Sequence, residues 1–233
     1  MQSLRDALPQ VIKDTGVIRF AGDSHPPYRT VAENGTVTGL SAALQGMLGN
    51  RYGPVKATAE REKQFDTITW MTTRTAYVFP VDSTAGTTRT EDPCGKRVAV
   101  VTASVVEEQL NKLSRFCTQN KRPATQTIGL DDTNGTLLAT RSGRADAAGM
   151  TEAAAIDVTR RQGAYKYVTQ TEAQGATKDD PALYVPKSSK PGPVLQQVFE
   201  ELFENGTYVG IMSRWGLNRV SVPEPVFNAA TSG

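Results

Sequence analysis

The run Arg97-Val98-Ala99-Val100-Val101 stops at Thr102-Ala103-Ser104, and Val106, Leu110 and Leu113 follow at helical spacing. A short β-branched run favours a strand, Ser104 is a helix-capping residue type, and three apolar residues on one helical face need a covering surface. This strand–turn–helix unit commits the chain to layers of helices on sheets. The same alternation extends along the sequence. Val17 to Gly22 reads as a strand, followed by the irregular segment Asp23-Ser24-His25-Pro26-Pro27-Tyr28. Asn34-Gly35 marks a turn between two extended pieces, and Leu40, Ala43, Leu44, Met47 and Leu48 recur at helical spacing. Ile128 ends a strand, Leu137 and Leu138 mark a helix that stops at Ser142-Gly143, Ala145 to Met150 is a small-residue strand, and a helix covers Glu152 to Arg161. A last strong helix starts near Pro193, with Leu195, Val198, Phe199, Leu202 and Phe203 on one stripe, and Asn205-Gly206 closes it. Tyr208, Ile211 and Trp215 read as a further short helix on the same core. After Leu217 the composition reads as a tail, and there is no internal repeat. The expected class is α/β, with a mostly parallel sheet under covering helices.

Composition removes several functions. A net charge of +2 without a Lys/Arg-rich run argues against a nucleic-acid surface. No stretch has the roughly 18 apolar residues that span a bilayer. The polar start Met1-Gln2-Ser3-Leu4-Arg5-Asp6 has no signal-peptide core, so the expectation is a cytosolic protein or one whose secretion signal is absent from this sequence. Cys94 and Cys117 flank one strand–helix unit. From spacing alone they are either a disulfide of an oxidised, extracytoplasmic protein or two unrelated buried thiols.

Reactive constellations are scarce. His25 is the single histidine, and no Gly-x-Ser-x-Gly elbow accompanies it. Neither a zinc-ligand spacing nor a glycine-rich phosphate loop is present, so no metal and no cofactor is expected. The pairs Glu107-Glu108 and Glu200-Glu201 read as solvated helix faces. The pattern is that of a chain that binds.

Six segments in order resemble the extracytoplasmic solute-binding proteins of family 3, which serve ABC importers of polar amino acids. They are Gly16 to Asp23 with Pro26-Pro27-Tyr28 and Gly35-x-x-x-Gly39; Thr58-Ala59-Glu60-Arg61 with Phe65-Asp66; Cys94 to Val100; Ala103-Ser104; Ser142 to Ala147; and Leu202 to Tyr208 with Ile211 and Trp215-Gly216. The resemblance implies a two-lobed, periplasmic-binding-protein-like fold of type II, with mixed sheets, flanking helices and a hinge of two crossing strands. Lobe 1 would hold residues 1–74 and 180–222, lobe 2 residues 75–179, and 223–233 a tail. Ligand would bind in the inter-lobe cleft and close the lobes. The resemblance also implies a Cys94–Cys117 disulfide, a monomer that hands its ligand to an ABC permease, and a place in the periplasm or at the cell surface, where a lipid anchor would also hold a precursor.

Site residues follow from the same likeness. Arg61 would fork onto the ligand's carboxylate, against the alternative of a surface arginine in a Glu-Arg-Glu-Lys run. Ala103 and Ser104, with Val105, would offer N–H groups and a hydroxyl to an anion at a helix start, a role that an ordinary cap by Ser104 can accompany. Asp23 would meet the amine or side chain of the ligand, with His25 and Tyr28 on the same wall, or serve a turn only. Trp70 either faces the cleft or fills the first lobe's core. Three departures stand out. Thr151 occupies the place of the aspartate that pairs with an α-ammonium, with Glu152 as its neighbour. Lys56 replaces a small hydroxyl residue, which favours an acidic ligand if its side chain faces the cleft. Between Leu48-Gly49 and Gly53 the family's strand, helix and next strand start are missing.

The expected function is capture of a polar amino acid or related small carboxylate. The alternatives are a dehydratase acting on cyclohexadienyl acids, with Glu152 and Lys56 as acid and base, and the ligand-sensing domain of a receptor.

Overall fold

A computed structural model of the chain describes residues 6–16, 30–39, 55–56, 58–83 and 93–230. In chain order the elements are α1 Gln10–Thr15, β1 Thr30–Val31, β2 Val37–Thr38, β3 Val55–Lys56, α2 Ala59–Glu62, β4 Phe65–Met71 and β5 Thr75–Pro80. Next come β6 Arg97–Val101, α3 Val105–Gln119, β7 Gln126–Leu130, α4 Thr133–Arg141, β8 Ala147–Thr151, α5 Glu152–Gln162 and β9 Tyr165–Thr169. The last are β10 Pro181–Pro186, α6 Gly192–Glu204, α7 Thr207–Trp215 and β11 Ser221–Phe227. The chain divides into two compact units, Met1–Thr72 with Asp179–Gly233, and Thr73–Lys178.

In the first unit β1 and β2 form a hairpin in which Thr30 faces Thr38. The Asn34 side chain accepts from Thr36 N at 3.0 Å and Gly35 takes φ 79°, the turn chemistry expected of Asn-Gly. A four-stranded sheet runs β11-β4-β10-β3, and every pair in it is antiparallel. Strand β4 is interior and almost wholly buried from Asp66 to Met71. Helix α6 buries Val194, Leu195, Phe199 and Leu202, a stripe at i, i+1, i+5 and i+8 that includes three of the expected apolar positions. Phe203 stacks on Tyr208 with centroids 3.7 Å apart, which joins α6 to α7. The Tyr208 hydroxyl donates to the Trp70 carbonyl at 2.7 Å and accepts from Val222 N at 3.1 Å. Residues beyond Leu217 are therefore not a tail. Ser221–Phe227 forms β11 on the edge of β4, because two prolines are tolerated where one side of the strand has no ladder to complete.

In the second unit a five-stranded sheet runs β7-β6-β8-β5-β9. Strand β6 is parallel to β7 and β8, whereas β5 is antiparallel to β8 and β9. Only this sheet is mixed, and parallel pairing among the described residues is confined to it, so the mostly parallel sheet expected from the strand–helix alternation gives way to largely antiparallel pairing. Alternate residues of β5 point to opposite faces. Tyr77 and Phe79 pack with Leu110, Leu113 and Cys117 of α3, while Ala76 and Val78 pack with Ala154 and Ala155 of α5. Gly149 permits the close approach of α3, since a Cβ there would lie 2.9 Å from Val100 and 3.0 Å from Val106. The buried Tyr77 hydroxyl donates to Gln170 Oε1 at 2.8 Å, and Gln170 Nε2 donates to the carbonyls of Gln109 and Gln174. Burial raises the Tyr77 hydroxyl far above the ordinary tyrosine range, so it stays a donor. Cys94 and Cys117 form a disulfide with Cα atoms 5.6 Å apart, tying the turn before β6 to the end of α3.

Candidate functional site

The residues expected to meet a ligand fall on both units. In the first, Thr58 caps α2 by accepting from Arg61 N at 3.3 Å. This one-turn helix presents Arg61 as an exposed side chain at its end, and the guanidinium lies over the Tyr184 ring, 5.9 Å from its centroid. Tyr184 is placed by pairing with Thr67 across β10 and β4, and Phe65 meets its ring edge-on at 5.8 Å. Burial raises the Tyr184 hydroxyl above its ordinary value, Arg61 pulls it down, and Glu62 pushes it up. Beside Arg61, Glu62 turns inward and is 3% exposed. Its carboxylate accepts from the Thr67 hydroxyl at 2.6 Å and from Ala230 N at 3.1 Å.

Other expected residues of this unit divide three ways. Trp70 lies in the core at 4% exposure, as its packing alternative required. Lys56 lies in β3 opposite Pro181 in register. Asp23, His25 and Tyr28, together with the shortened stretch around Gly49 to Gly53, lie outside the described residues.

In the second unit the parallel neighbours β6 and β8 end side by side, so α3 and α5 begin at one edge of the sheet. This brings Ala103 and Ser104 to the same edge as Thr151 and Glu152. Ser104 caps α3 by accepting from Glu107 N at 3.2 Å, and the Glu107 carboxylate accepts from Ala103 N at 2.7 Å. The Ser104 cap forms, and the protein's own carboxylate lies on the Ala103 N–H. Glu107 is accordingly no mere solvated charge, whereas Glu108 pairs with Lys112 on the surface at 3.2 Å. The Ser-x-x-Glu spacing of a capping box was the local signal for Glu107. Tyr184 and Glu62 carry no such signal, because Tyr184 meets Arg61 and Phe65, and Glu62 meets Ala230, across long sequence separations.

Ala103 has φ 57°, a left-handed conformation that glycine adopts more readily than alanine. Thr151 caps α5 by accepting from Ala154 N at 3.3 Å. Glu152 is 6% exposed, accepts from the Thr169 hydroxyl at 3.1 Å, and donates its backbone N–H to the Arg74 carbonyl at 2.7 Å. Its carboxylate thus belongs to the interior of the second unit. At the opposite end of these strands lies an open depression of about 370 Å³ that includes Asp82, Lys96 and Asp146. Among the described residues there is no group of three or more metal-ligating side chains, and no helix is long and apolar enough to cross a membrane.

Solved structures share this arrangement of sheets and helices. A mutant of ArgBP from T. maritima superposes with a TM-score of 0.67 at 18% identity, over 91% of this chain and 99% of that one. The cysteine-binding protein from Campylobacter jejuni gives a TM-score of 0.63 at 19% identity, over 91% and 92%. An ancestral amino-acid-binding protein, a precursor of cyclohexadienyl dehydratase, gives 0.66 at 18%, over 88% and 97%. The chain has the periplasmic-binding-protein-like fold. No family model matches it, and no curated protein does. At this identity the likeness is one of architecture, so the periplasmic-binding-protein-like fold leaves the ligand to be argued from side chains.

Proposed function

We propose that this chain is the solute-binding component of an ABC importer, capturing a polar amino acid or related small carboxylate outside the cytoplasm. The observation that carries the reading is Arg61, an exposed guanidinium on a capped turn against the Tyr184 ring. A planar, permanently charged fork backed by an aromatic face is suited to a carboxylate, which it binds through two parallel N–H···O contacts. The fold supports the reading, since structures sharing it include a cysteine-binding protein and an ancestral amino-acid-binding protein. The Cys94–Cys117 disulfide supports an oxidising compartment. Delivery to a permease and a monomeric state belong to the same proposal.

The test is a thermal-shift panel of the twenty proteinogenic L-amino acids and small dicarboxylates. A ligand at about 100 times its Kd stabilises by about 2.7 kcal/mol, and Tm should rise by roughly 5–10 °C. Arg61→Ala should abolish the rise and Arg61→Lys should reduce it, because an ammonium cannot fork. A flat panel, or an Arg61→Ala protein that responds like the wild type, rejects the reading. Turnover of prephenate or arogenate would establish the dehydratase alternative instead.

A further inference from the structure

Helix α2 has only four residues, Ala59–Glu62, so it has no stability of its own and its direction must be imposed from outside. Thr58 holds one end. The other end is held from the far terminus of the sequence. Glu62 Oε1 accepts from both Thr67 Oγ1 and Ala230 N. Two residues before Ala230, Asn228 exchanges two bonds with Thr67: its N–H donates to the Thr67 carbonyl and its Oδ1 accepts from Thr67 N, both at 2.9 Å. Asn228 Nδ2 also donates to Asp66 Oδ1 at 3.3 Å. Asn228 has φ 51°, which turns the chain after β11 back over the junction between α2 and β4.

We propose that Glu62 and Asn228 are positioning residues for Arg61, and that residues 228–230 act as a strap that fixes the guanidinium's helix. The inference rests on the reading of Arg61 as the anchor of the ligand. A side chain on an unsupported turn samples many directions, whereas one on a turn pinned at both ends presents its fork in one. Thr67 and Ala230 both donate to Glu62 Oε1, so these two contacts need an acceptor oxygen at that position.

The test compares Glu62→Ala, Glu62→Gln and Asn228→Gly, the last keeping the positive φ while removing the side-chain bonds. Hydrogen exchange is followed at residues 61–64 in the ligand-free proteins, and affinity is measured by calorimetry for whichever of the twenty L-amino acids or small dicarboxylates stabilises the wild type. Exchange at 61–64 should quicken in Glu62→Ala and Asn228→Gly, with β6 and β8 unchanged as an internal reference. Affinity should weaken about tenfold, the scale of one lost hydrogen bond to a charged group. Glu62→Gln, which keeps the acceptor, should restore both. Unchanged exchange in Glu62→Ala and Asn228→Gly overturns the strap, and faster exchange with unchanged affinity overturns its role in positioning Arg61. If the wild type binds none of the twenty amino acids and none of the small dicarboxylates, the transport reading falls, and the exchange measurements decide the strap on their own.

Discussion

The Cα of Gly192 lies against the carboxylate of Asp66, so close that a Cβ at Gly192 would overlap the carboxylate carbon and Oδ2. Asp66 is 9% exposed, and on its other side it meets Lys187 and Asn228. It cannot retreat without breaking those contacts. Gly192→Ala should therefore destabilise the protein by about 1–3 kcal/mol, the usual cost of overpacking. Urea unfolding should show a lower midpoint with an unchanged slope. A midpoint equal to the wild type would mean that α6 can start elsewhere without loss.

Ala103 has the reverse problem. Its φ of 57° places a Cβ in the left-handed region, which is strained for an L-residue. Ala103→Gly should stabilise by about 0.5–1 kcal/mol, the relieved strain being partly offset by the greater freedom of glycine in the unfolded chain. The same urea experiment checks the sign. The Ala103 N–H to Glu107 contact needs no side chain at position 103 and should persist.

Reduction of Cys94–Cys117 releases a loop with a sequence separation of 23. The loss of that constraint on the unfolded chain should cost about 3 kcal/mol. Because Cys117 is fully buried against Leu110 and Leu113, reductant should act slowly on the native protein. The paired Cys94→Ser, Cys117→Ser variant should show the loss directly by a lower urea midpoint, and a midpoint matching the wild type would contradict the account.

Asp146 sets a pH dependence. Hydrogen bonds from Arg97, and its positive charge, hold the Asp146 carboxyl below the ordinary aspartate value. The unfolded chain, with the higher value, takes up the proton first as pH falls. The contribution of Asp146 is thus present above the ordinary aspartate range and is lost as pH falls through it towards the lower folded value. Asp146→Asn should flatten the acid limb of a plot of urea midpoint against pH. An unchanged acid limb would show that the pair is too screened by solvent to matter.

Local chemistry was enough for the elements whose pattern lies within one segment. The β-branched run at Arg97–Val101, the Ser104 cap and the helix that stops at Ser142-Gly143 appear where the pattern puts them, the small-residue strand expected over Ala145 to Met150 forms at Ala147–Thr151, and three of the five expected apolar residues of α6 are buried. Each depends on neighbours a few residues apart, and those are legible in order along a chain. Strands β4, β5, β9 and β10 are less legible, because strands buried on both faces or rich in threonine show no clean alternation. Strand β11 reads as a tail until β4 supplies its partner.

The candidate site divides the same way. Only the likeness of Thr58-Ala59-Glu60-Arg61 to a family motif singles out Arg61, whereas a Ser-x-x-Glu spacing contains the Glu107 contact that composition alone reads as solvated charge. By itself the sequence determined the Ser104 cap, the Asn34-Gly35 turn and the strand–helix order from β6 to α5, since these are settled by hydrogen bonds and sterics within a few residues. Only the tertiary structure decided that Trp70 is core, that Glu152 is turned inward onto Thr169, and that Ala230 reaches Glu62. Those outcomes depend on which distant segments come to share a sheet, and pairing across such separations leaves no periodic mark on either segment.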